Sequence, residues 1–252
     1  HHHAHSGSGG VGFLISTEFL KFFRVTVLDS STEGILWLKL EDKQDGSMSS
    51  ACVCYLPPEG SSSNVNAQFF YETLLGQIYQ FQNIGPYFIC GDLNSRLGDM
   101  EDHILGTDNI TERHIVDYKA NRYGELFQEF LLSAESCILN GRKLKGPNDY
   151  TCISEKGHSV VDYVISPIDY LHLYDQVEIH SAYELFEKAG CVGRYNLNIS
   201  DHSLITWKSS HYIMNSKQDT GKIKVSKKKI YNCEEVPQHF MNDLNIISEI
   251  QA

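Results

Sequence analysis

Strand-like and helix-like patterns of apolar residues alternate along most of the chain. Short runs rich in β-branched and aromatic residues predict strands, and turn-forming residues separate them. The predicted strands are VGFLIS (11–16), RVTVLD (24–29), ILWLKLE (35–41), SACVCYLP (50–57), PYFICG (86–91), SCILNG (136–141), DYTCIS (149–154), SVVDYVIS (159–166), DQVEIHSA (175–182) and SLITW (203–207). Apolar residues at helical spacing predict helices over 67–81 and 121–135.

This alternation indicates an α/β domain in which helices cover the sheets. The 252 residues suffice for one large domain with a substantial core. The character of the sequence changes after about residue 208, where it becomes Lys-rich and then amphipathic. We therefore predict one domain over 1–208, followed by a Lys-rich linker and an amphipathic helical tail over 209–252.

Charge and cysteine usage narrow the possible functions. The net charge of −11 suits a site that gathers carboxylates around a cation better than a surface that binds phosphates through Lys and Arg. Five lysines in KIKVSKKKI (222–230), among them Lys227, Lys228 and Lys229, form either a solvated linker or an arm that faces nucleic acid. The seven scattered cysteines, without CxxC spacing, predict a reducing intracellular compartment.

Two signals near the N-terminus do not predict a function. Residues 7–12 match the GxGxxG pattern of dinucleotide-binding proteins, but that pattern must follow a strand and open a helix, whereas here it precedes a predicted strand. The opening histidines are interpreted as a tag remnant, a natural segment or an adventitious metal site. We predict no dinucleotide cofactor. No apolar run is long enough to span a bilayer, and the sequence predicts no membrane association.

Polar side chains cluster where predicted strands begin or end. The residues concerned are Tyr55, Asp92, Asn94, Asp162, Asp201 and His202. Each alone has a structural explanation as a turn, cap or paired core residue. Together they suit phosphodiester hydrolysis, because carboxylate and amide oxygens bind Mg²⁺ and a histidine held by an aspartate can stabilise charge or move a proton.

The same residues carry a resemblance. GDLN, SVVDYVIS and SDHSLITW resemble the GDxN, SxxDY and SDH motifs of the endonuclease/exonuclease/phosphatase superfamily, which includes the DNase I-like nucleases. CYLPPEGS, FICGDLNSRLGD, ILNGR and TCIS fall in an order similar to that of the endonuclease domains of LINE-type retrotransposons. The resemblance covers roughly 9–208. It implies a four-layer α/β sandwich, with two mixed sheets packed face to face and helices outside.

The resemblance also implies roles for the site residues. Asp92 would activate the attacking water or protonate the leaving oxygen, and Asn94 would orient the phosphate or the water. Asp162 would hold His202, which would contact the scissile phosphate. Asp201 would lie by the metal, Mg²⁺ or alternatively Mn²⁺. Tyr55 would donate its hydroxyl to the phosphate, and Arg96 would face a phosphate backbone.

The family's first strands carry an Asn and a metal-binding Glu, and both precede the segment similar to GSGGVGFLIS. We therefore expect an N-terminally incomplete domain that lacks these strands. The resemblance predicts a DNA-nicking endonuclease, with a reverse transcriptase downstream in the parent polypeptide and a nuclear location if the protein belongs to a retroelement. Two alternatives stay open, namely a non-catalytic nucleic-acid-binding remnant and a phosphatase that acts on small phosphoesters.

Overall fold

The computed structural model describes residues 10–61, 65–142, 146–190 and 200–212. Their elements, in chain order, are α1 (Phe19–Phe22), β1 (Phe23–Asp29), β2 (Ile35–Asp42), β3 (Met48–Tyr55), α2 (Ala67–Phe81), β4 (Tyr87–Asp92), α3 (Arg122–Ser133), β5 (Ser136–Ile138), β6 (Cys152–Ser154), β7 (Gly157–Ser159), β8 (Asp162–Pro167), β9 (Tyr174–His180), α4 (Ala182–Lys188) and β10 (Leu204–Ser209). Short 3-10 helices span Ile168–Leu173 and Ser210–Tyr212.

A six-stranded mixed sheet with the strand order β1-β2-β3-β4-β8-β5 forms the centre of the fold. All neighbouring strands are antiparallel except β3 and β4, which run parallel and are joined by α2. A parallel pair needs such a crossover because a tight turn can only reverse the chain. Two smaller antiparallel sheets pair β9 with β10 and β6 with β7.

Helices α2 and α3 cover one face of the central sheet. The cluster that they bury includes Trp37, Leu74, Phe127 and Ile165. Asn66 and Asn121 cap the two helices, since each side chain accepts a backbone N–H from the first turn. Burial of an apolar side chain of this size stabilises the fold by roughly 1.5–3 kcal/mol, and this packing fixes the helices on the sheet.

The opposite face of the central sheet packs against β9 and β10. Val164 of β8 and Val177 of β9 belong to one buried cluster, on which Ile205 and Trp207 of β10 also pack. The architecture agrees with the predicted DNase I-like α/β sandwich, and in the described residues the second sheet is the antiparallel pair of β9 and β10. It leaves the ends of β3 and β4 and the start of β8 at one edge, next to β10.

The predicted strand over 11–16 is wrong. These residues form no strand, although alternate side chains are half-buried. Phe13 and Ile15 pack on Leu38, Leu40 and Ala51 of the central sheet. The segment is extended over the sheet and buries every second side chain, which produces the period-two pattern. It is not a strand because it does not form the backbone hydrogen bonds to a neighbouring strand that define one.

The other predicted elements are confirmed, most with small shifts, but SCILNG is a strand only over its first three residues and DYTCIS only over its last three. The helix over 67–81 has the predicted bounds. SVVDYVIS is split, because β7 ends at Ser159 and β8 begins at Asp162. The sequence did not predict α1 or α4. The predicted tail, apart from its first four residues, lies outside the described residues. Among the described residues, no helix combines the length and apolar character needed to cross a membrane.

Candidate active site

Three of the predicted site residues form a row across the edge of the central sheet. The parallel register pairs Tyr55 at the end of β3 with Asp92 at the end of β4. The antiparallel register pairs Asp92 with Asp162 at the start of β8. Paired residues on neighbouring strands share a face of the sheet and lie about 5 Å apart. The fold therefore brings together side chains that are widely separated in the sequence.

The chain turns sharply after β4 and places Asn94 over Asp92. Gly91 has φ 149°, and a Cβ there would overlap the carbonyl oxygen of Cys54, so only glycine fits. Asn94 adopts φ 48°, a left-handed conformation that asparagine tolerates. Its backbone N–H donates to Oδ1 of Asp92 at 2.9 Å and its amide Nδ2 donates to Oδ2 at 3.1 Å.

These bonds limit what Asn94 can offer to a ligand. Nδ2 also donates to the carbonyl of Leu56 at 2.9 Å, so both amide hydrogens are used within the protein. The amide oxygen is the atom that remains for a ligand. Asn94 is therefore arranged to accept a hydrogen bond from a water or to bind a cation, and not to donate to a phosphate oxygen.

Asp162 holds His202. Nδ1 of His202 lies 3.0 and 2.9 Å from the two carboxylate oxygens of Asp162. The side chain of His202 is 36% exposed and that of Asp162 is 17% exposed, so the imidazole can meet a substrate while the carboxylate is largely shielded. This hydrogen bond raises the pKa of His202 to about 9, although burial opposes the shift. The imidazole is therefore cationic at neutral pH.

Thr151 joins the segments that carry this pair. Its Oγ1 accepts the backbone N–H of Val161 at 2.9 Å and that of Asp162 at 3.0 Å. Its carbonyl accepts the N–H of Ser203 at 2.8 Å. The side chain is fully buried. One residue thus fixes both the start of β8 and the chain beside His202, and it is a positioning residue for the pair.

Asp92 is held in an environment that disfavours its charge. Burial and the nearby Asp162 carboxylate raise the pKa of Asp92 to about 6, although the hydrogen bonds from Asn94 and the His202 cation oppose them. At neutral pH the side chain is mostly ionised and retains appreciable basicity. A carboxyl group with this pKa suits a group that takes a proton from a water molecule.

We expect the metal-free Asp92→Asn chain to be more stable than the parent, by a difference in unfolding free energy that increases with pH. The folded-state pKa lies above the unfolded value near 3.8, so the contribution of Asp92 to stability is present below pH 4 and is lost as the pH rises through about 6. The substitution removes the buried charge but also loses the hydrogen bond from Nδ2 of Asn94. The net gain should be about 1–2 kcal/mol at pH 8 and near zero at pH 4.

Urea unfolding in EDTA at pH 4, 6 and 8 measures this difference. Asp99→Asn is the control, because it removes the same charge from an exposed position in the same loop. An Asp92→Asn chain that is less stable than the parent at pH 8 would show that Asp92 does not carry a strained charge in the fold.

The remaining predicted residues lie in different surroundings. Asp201 is exposed and precedes His202 at the entrance of the cluster. Arg96 forms a two-point ion pair with the buried Asp117, with distances of 2.9 and 2.6 Å. Its side chain is 23% exposed, and its contact with a phosphate backbone stays a prediction. Lys227, Lys228 and Lys229 lie outside the described residues.

Sequence reasoning did not select Cys152 or Thr151 as site residues. A group of possible metal ligands is formed by Cys152, Asp201 and His202, and a second by Asp92, Asp162 and His202. The signal for Cys152 was absent from the sequence because it faces His202 across an isolated antiparallel bridge. Both residues lie in TCIS, which carries part of the resemblance but gave neither of them a role, and only the fold brings them to the site.

The donor set at the sheet edge fits a hard divalent cation. Three aspartates and one amide oxygen surround a single cationic imidazole, and the mutual repulsion of Asp92 and Asp162 contributes to the raised pKa of Asp92. A cation would relieve this repulsion, and carboxylate and amide oxygens are the ligands that Mg²⁺ prefers. Asp92 and Asn94 are the candidates to hold it at the sheet edge, and Asp201, the metal residue that the resemblance implies, lies beside His202.

No protein-family model and no curated protein matches this chain. Several solved structures are similar. The AP endonuclease LMAP from Leishmania major is 13% identical, with a TM-score of 0.52, and the match covers 77% of this chain and 63% of LMAP. The endonuclease domain of TRAS1, a telomere-specific non-LTR retrotransposon, is 17% identical with a TM-score of 0.47, covering 74% of this chain and 68% of that domain. The 3'-5' exonuclease NExo from Neisseria meningitidis is 13% identical with a TM-score of 0.45, covering 74% and 69%.

Proposed function

We propose that the chain is a divalent-metal-dependent hydrolase that nicks DNA as retrotransposon endonucleases do. The premise is its DNase I-like fold, which is the fold of the endonuclease/exonuclease/phosphatase superfamily. The observation that supports this proposal is the convergence of Asp92, Asp162 and His202 at one sheet edge, with Asp162 bound to the imidazole. Such an arrangement supplies a base and a fixed cation side by side. The base can activate a water, and the fixed cation can offset the charge that develops on the phosphate.

Asp92 and Asn94 prepare the nucleophile. Asp92, ionised above pH about 6, takes a proton from the attacking water. The two N–H groups of Asn94 hold the carboxylate in place, and its amide oxygen accepts a hydrogen bond from the same water. The water oxygen then forms a bond to phosphorus while the bond to the leaving oxygen breaks. In the alternative role, protonated Asp92 gives its proton to the leaving oxygen.

His202 and Tyr55 bind the phosphate. The imidazolium, fixed by Asp162, donates from Nε2 to a non-bridging oxygen on which negative charge increases during attack. Tyr55 stands in register beside Asp92 and donates its hydroxyl to the phosphate. Mg²⁺, or alternatively Mn²⁺, would be held by Asp92, Asn94 and Asp201, and when bound it would polarise the phosphoryl group and offset its developing charge.

Conversion of supercoiled plasmid to the nicked circle tests the proposal. The purified full chain, supplied with Mg²⁺, should nick the plasmid, whereas the Asp92→Ala chain and an EDTA control should not. Equal nicking by the parent and Asp92→Ala chains would reject the proposal. DNA binding that weakens with salt but is not followed by cleavage would support a non-catalytic nucleic-acid-binding remnant.

The other alternative is a phosphatase that has the same fold but acts on small phosphoesters. A panel of phosphomonoesters, tested beside intact and abasic duplex DNA at the same enzyme concentration, separates the two activities. We propose DNA as the substrate and a reverse transcriptase as the downstream partner in the parent polypeptide. Turnover of phosphomonoesters without cleavage of either duplex would replace this proposal with a phosphatase function.

A further inference from the structure

Cys152 lies directly opposite His202, although fifty residues separate them in the sequence. The two residues form an isolated antiparallel bridge at the start of β6. On either side of it, Ile153 donates its N–H to the carbonyl of Asp201 at 2.7 Å and Ser203 donates to the carbonyl of Thr151 at 2.8 Å. The backbone of this pairing is therefore fixed on both sides, and the side chains of Cys152 and His202 emerge next to each other.

A third ligand completes the group. The thiol of Cys152, a carboxylate oxygen of Asp201 and a ring nitrogen of His202 all lie within 4.8 Å of one another. Ligands bound to one tetrahedral zinc ion at about 2.0–2.3 Å are separated by roughly 3.5 Å. The three ligand atoms are thus close enough for side-chain rotation to bring them onto one ion.

The chemistry of this group differs from that of the magnesium site. Thiolate and imidazole are ligands of Zn²⁺ and similar borderline cations, whereas Mg²⁺ takes oxygen ligands and keeps several waters. Asp162 adds a further feature, because it binds Nδ1 of His202 and leaves Nε2 for a metal. A carboxylate that fixes the second nitrogen of a ligating histidine is a recurrent feature of zinc sites.

We propose that Cys152, Asp201 and His202 form a metal site that shares Asp201 with the magnesium site, is selective for Zn²⁺ over Mg²⁺, and inhibits the chain when occupied. Binding forms bonds from the metal to sulfur, oxygen and Nε2, and it releases to solvent the thiol proton of Cys152 and the Nε2 proton of His202. The imidazole then no longer has an N–H to donate to a phosphate. The binding does not depend on the proposed function, and only the inhibition does.

Metal binding is tested first, without reference to activity. Full-length chains are prepared with His1, His2, His3 and His5 replaced by Ser, because these residues would bind the same ions. Zn²⁺ affinity is measured by competition with a chelator, and Co²⁺ is used as a spectroscopic probe. We expect Cys152→Ser to lower Zn²⁺ affinity at least tenfold and to abolish the thiolate-to-cobalt charge-transfer band. Cys233→Ser, a cysteine of the predicted tail, should change neither.

The Zn²⁺ affinities and the Co²⁺ spectra decide whether this metal site exists. Equal Zn²⁺ affinity in the parent and Cys152→Ser chains, or a Co²⁺ spectrum without a thiolate band, would overturn the proposal. Circular dichroism and the melting temperature of each variant establish that it is folded. If Cys152→Ser is unfolded, Cys152→Ala and Asp201→Asn take its place, and both should bind Zn²⁺ more weakly than the parent.

Inhibition is tested on plasmid nicking at fixed Mg²⁺. Added Zn²⁺ should inhibit the parent chain, and the Cys152→Ser chain, measured against its own rate without Zn²⁺, should require at least tenfold more Zn²⁺ for half-inhibition. Identical inhibition curves would reject the inhibitory role. Absence of nicking in every chain would reject the proposed function, while the chelator competition would still decide whether the zinc site exists.

Discussion

A His202→Ala chain should nick plasmid about 100- to 1,000-fold more slowly than the parent. The substitution removes the one cationic side chain that the described part of the site offers to the phosphate, and loss of a fixed donor to developing charge costs this much in other hydrolases. Asp162→Asn should cause a large loss as well, because it releases the imidazole. The double variant should be little worse than His202→Ala alone, since the two residues act as one unit.

Two measurements make this result specific. In the metal-free chain, NMR titration should find a His202 pKa of about 9, falling toward the ordinary value near 6.5 in Asp162→Asn. His172→Ala is the control, because it removes an exposed imidazole whose hydrogen bond goes to the backbone carbonyl of Asp169. Additive losses in the double variant, or an unchanged His202 pKa in Asp162→Asn, would contradict the coupling.

Asp102→Ala should lower the free energy of unfolding by about 3–5 kcal/mol. Asp102 and Arg142 are both almost completely buried, and the guanidinium forms two hydrogen bonds of 2.7 Å with the carboxylate. Although burial opposes ionisation, Arg142 holds the pKa of Asp102 below its usual range. Removing the carboxylate leaves a buried cation without its partner, and this cost dominates the effect.

Urea unfolding at pH 7 measures this loss, and Asp99→Ala is the matched control. It removes a carboxylate from an exposed position three residues away and should change stability by less than about 0.5 kcal/mol. Asp102 also links its loop to β5, because its carboxylate accepts the backbone N–H of Ile138 at 2.7 Å. A loss of under 1 kcal/mol in Asp102→Ala would show that the loop relaxes and that water reaches Arg142.

Local pattern was sufficient for most secondary structure. Helix 67–81 was predicted to the residue because its apolar stripe, its cap and its length agree. The strand over 11–16 was wrong because alternating burial does not require a hydrogen-bonded neighbour. Helix α4 was missed because its seven residues give too short a window for helical periodicity, although Ala182, Leu185 and Phe186 are half-buried at helical spacing.

The sequence by itself determined most of the residues that could take part in the chemistry. Strand-end motifs singled out Asp92, Asn94, Asp162 and His202, because polar side chains beside buried strands need a partner or a function. These motifs are local, and a turn glycine such as Gly91 can be recognised from its neighbours alone.

Only the tertiary structure decided which of these groups meet. The bond from His202 to Asp162 and the ion pair of Asp102 with Arg142 each join residues 40 positions apart. Their distances depend on strand register, and register is set by packing of the whole sheet and not by any short segment. For the same reason Cys152 was not recognised in the sequence: its position opposite His202 exists only after β6, β8 and the chain before β10 have come together.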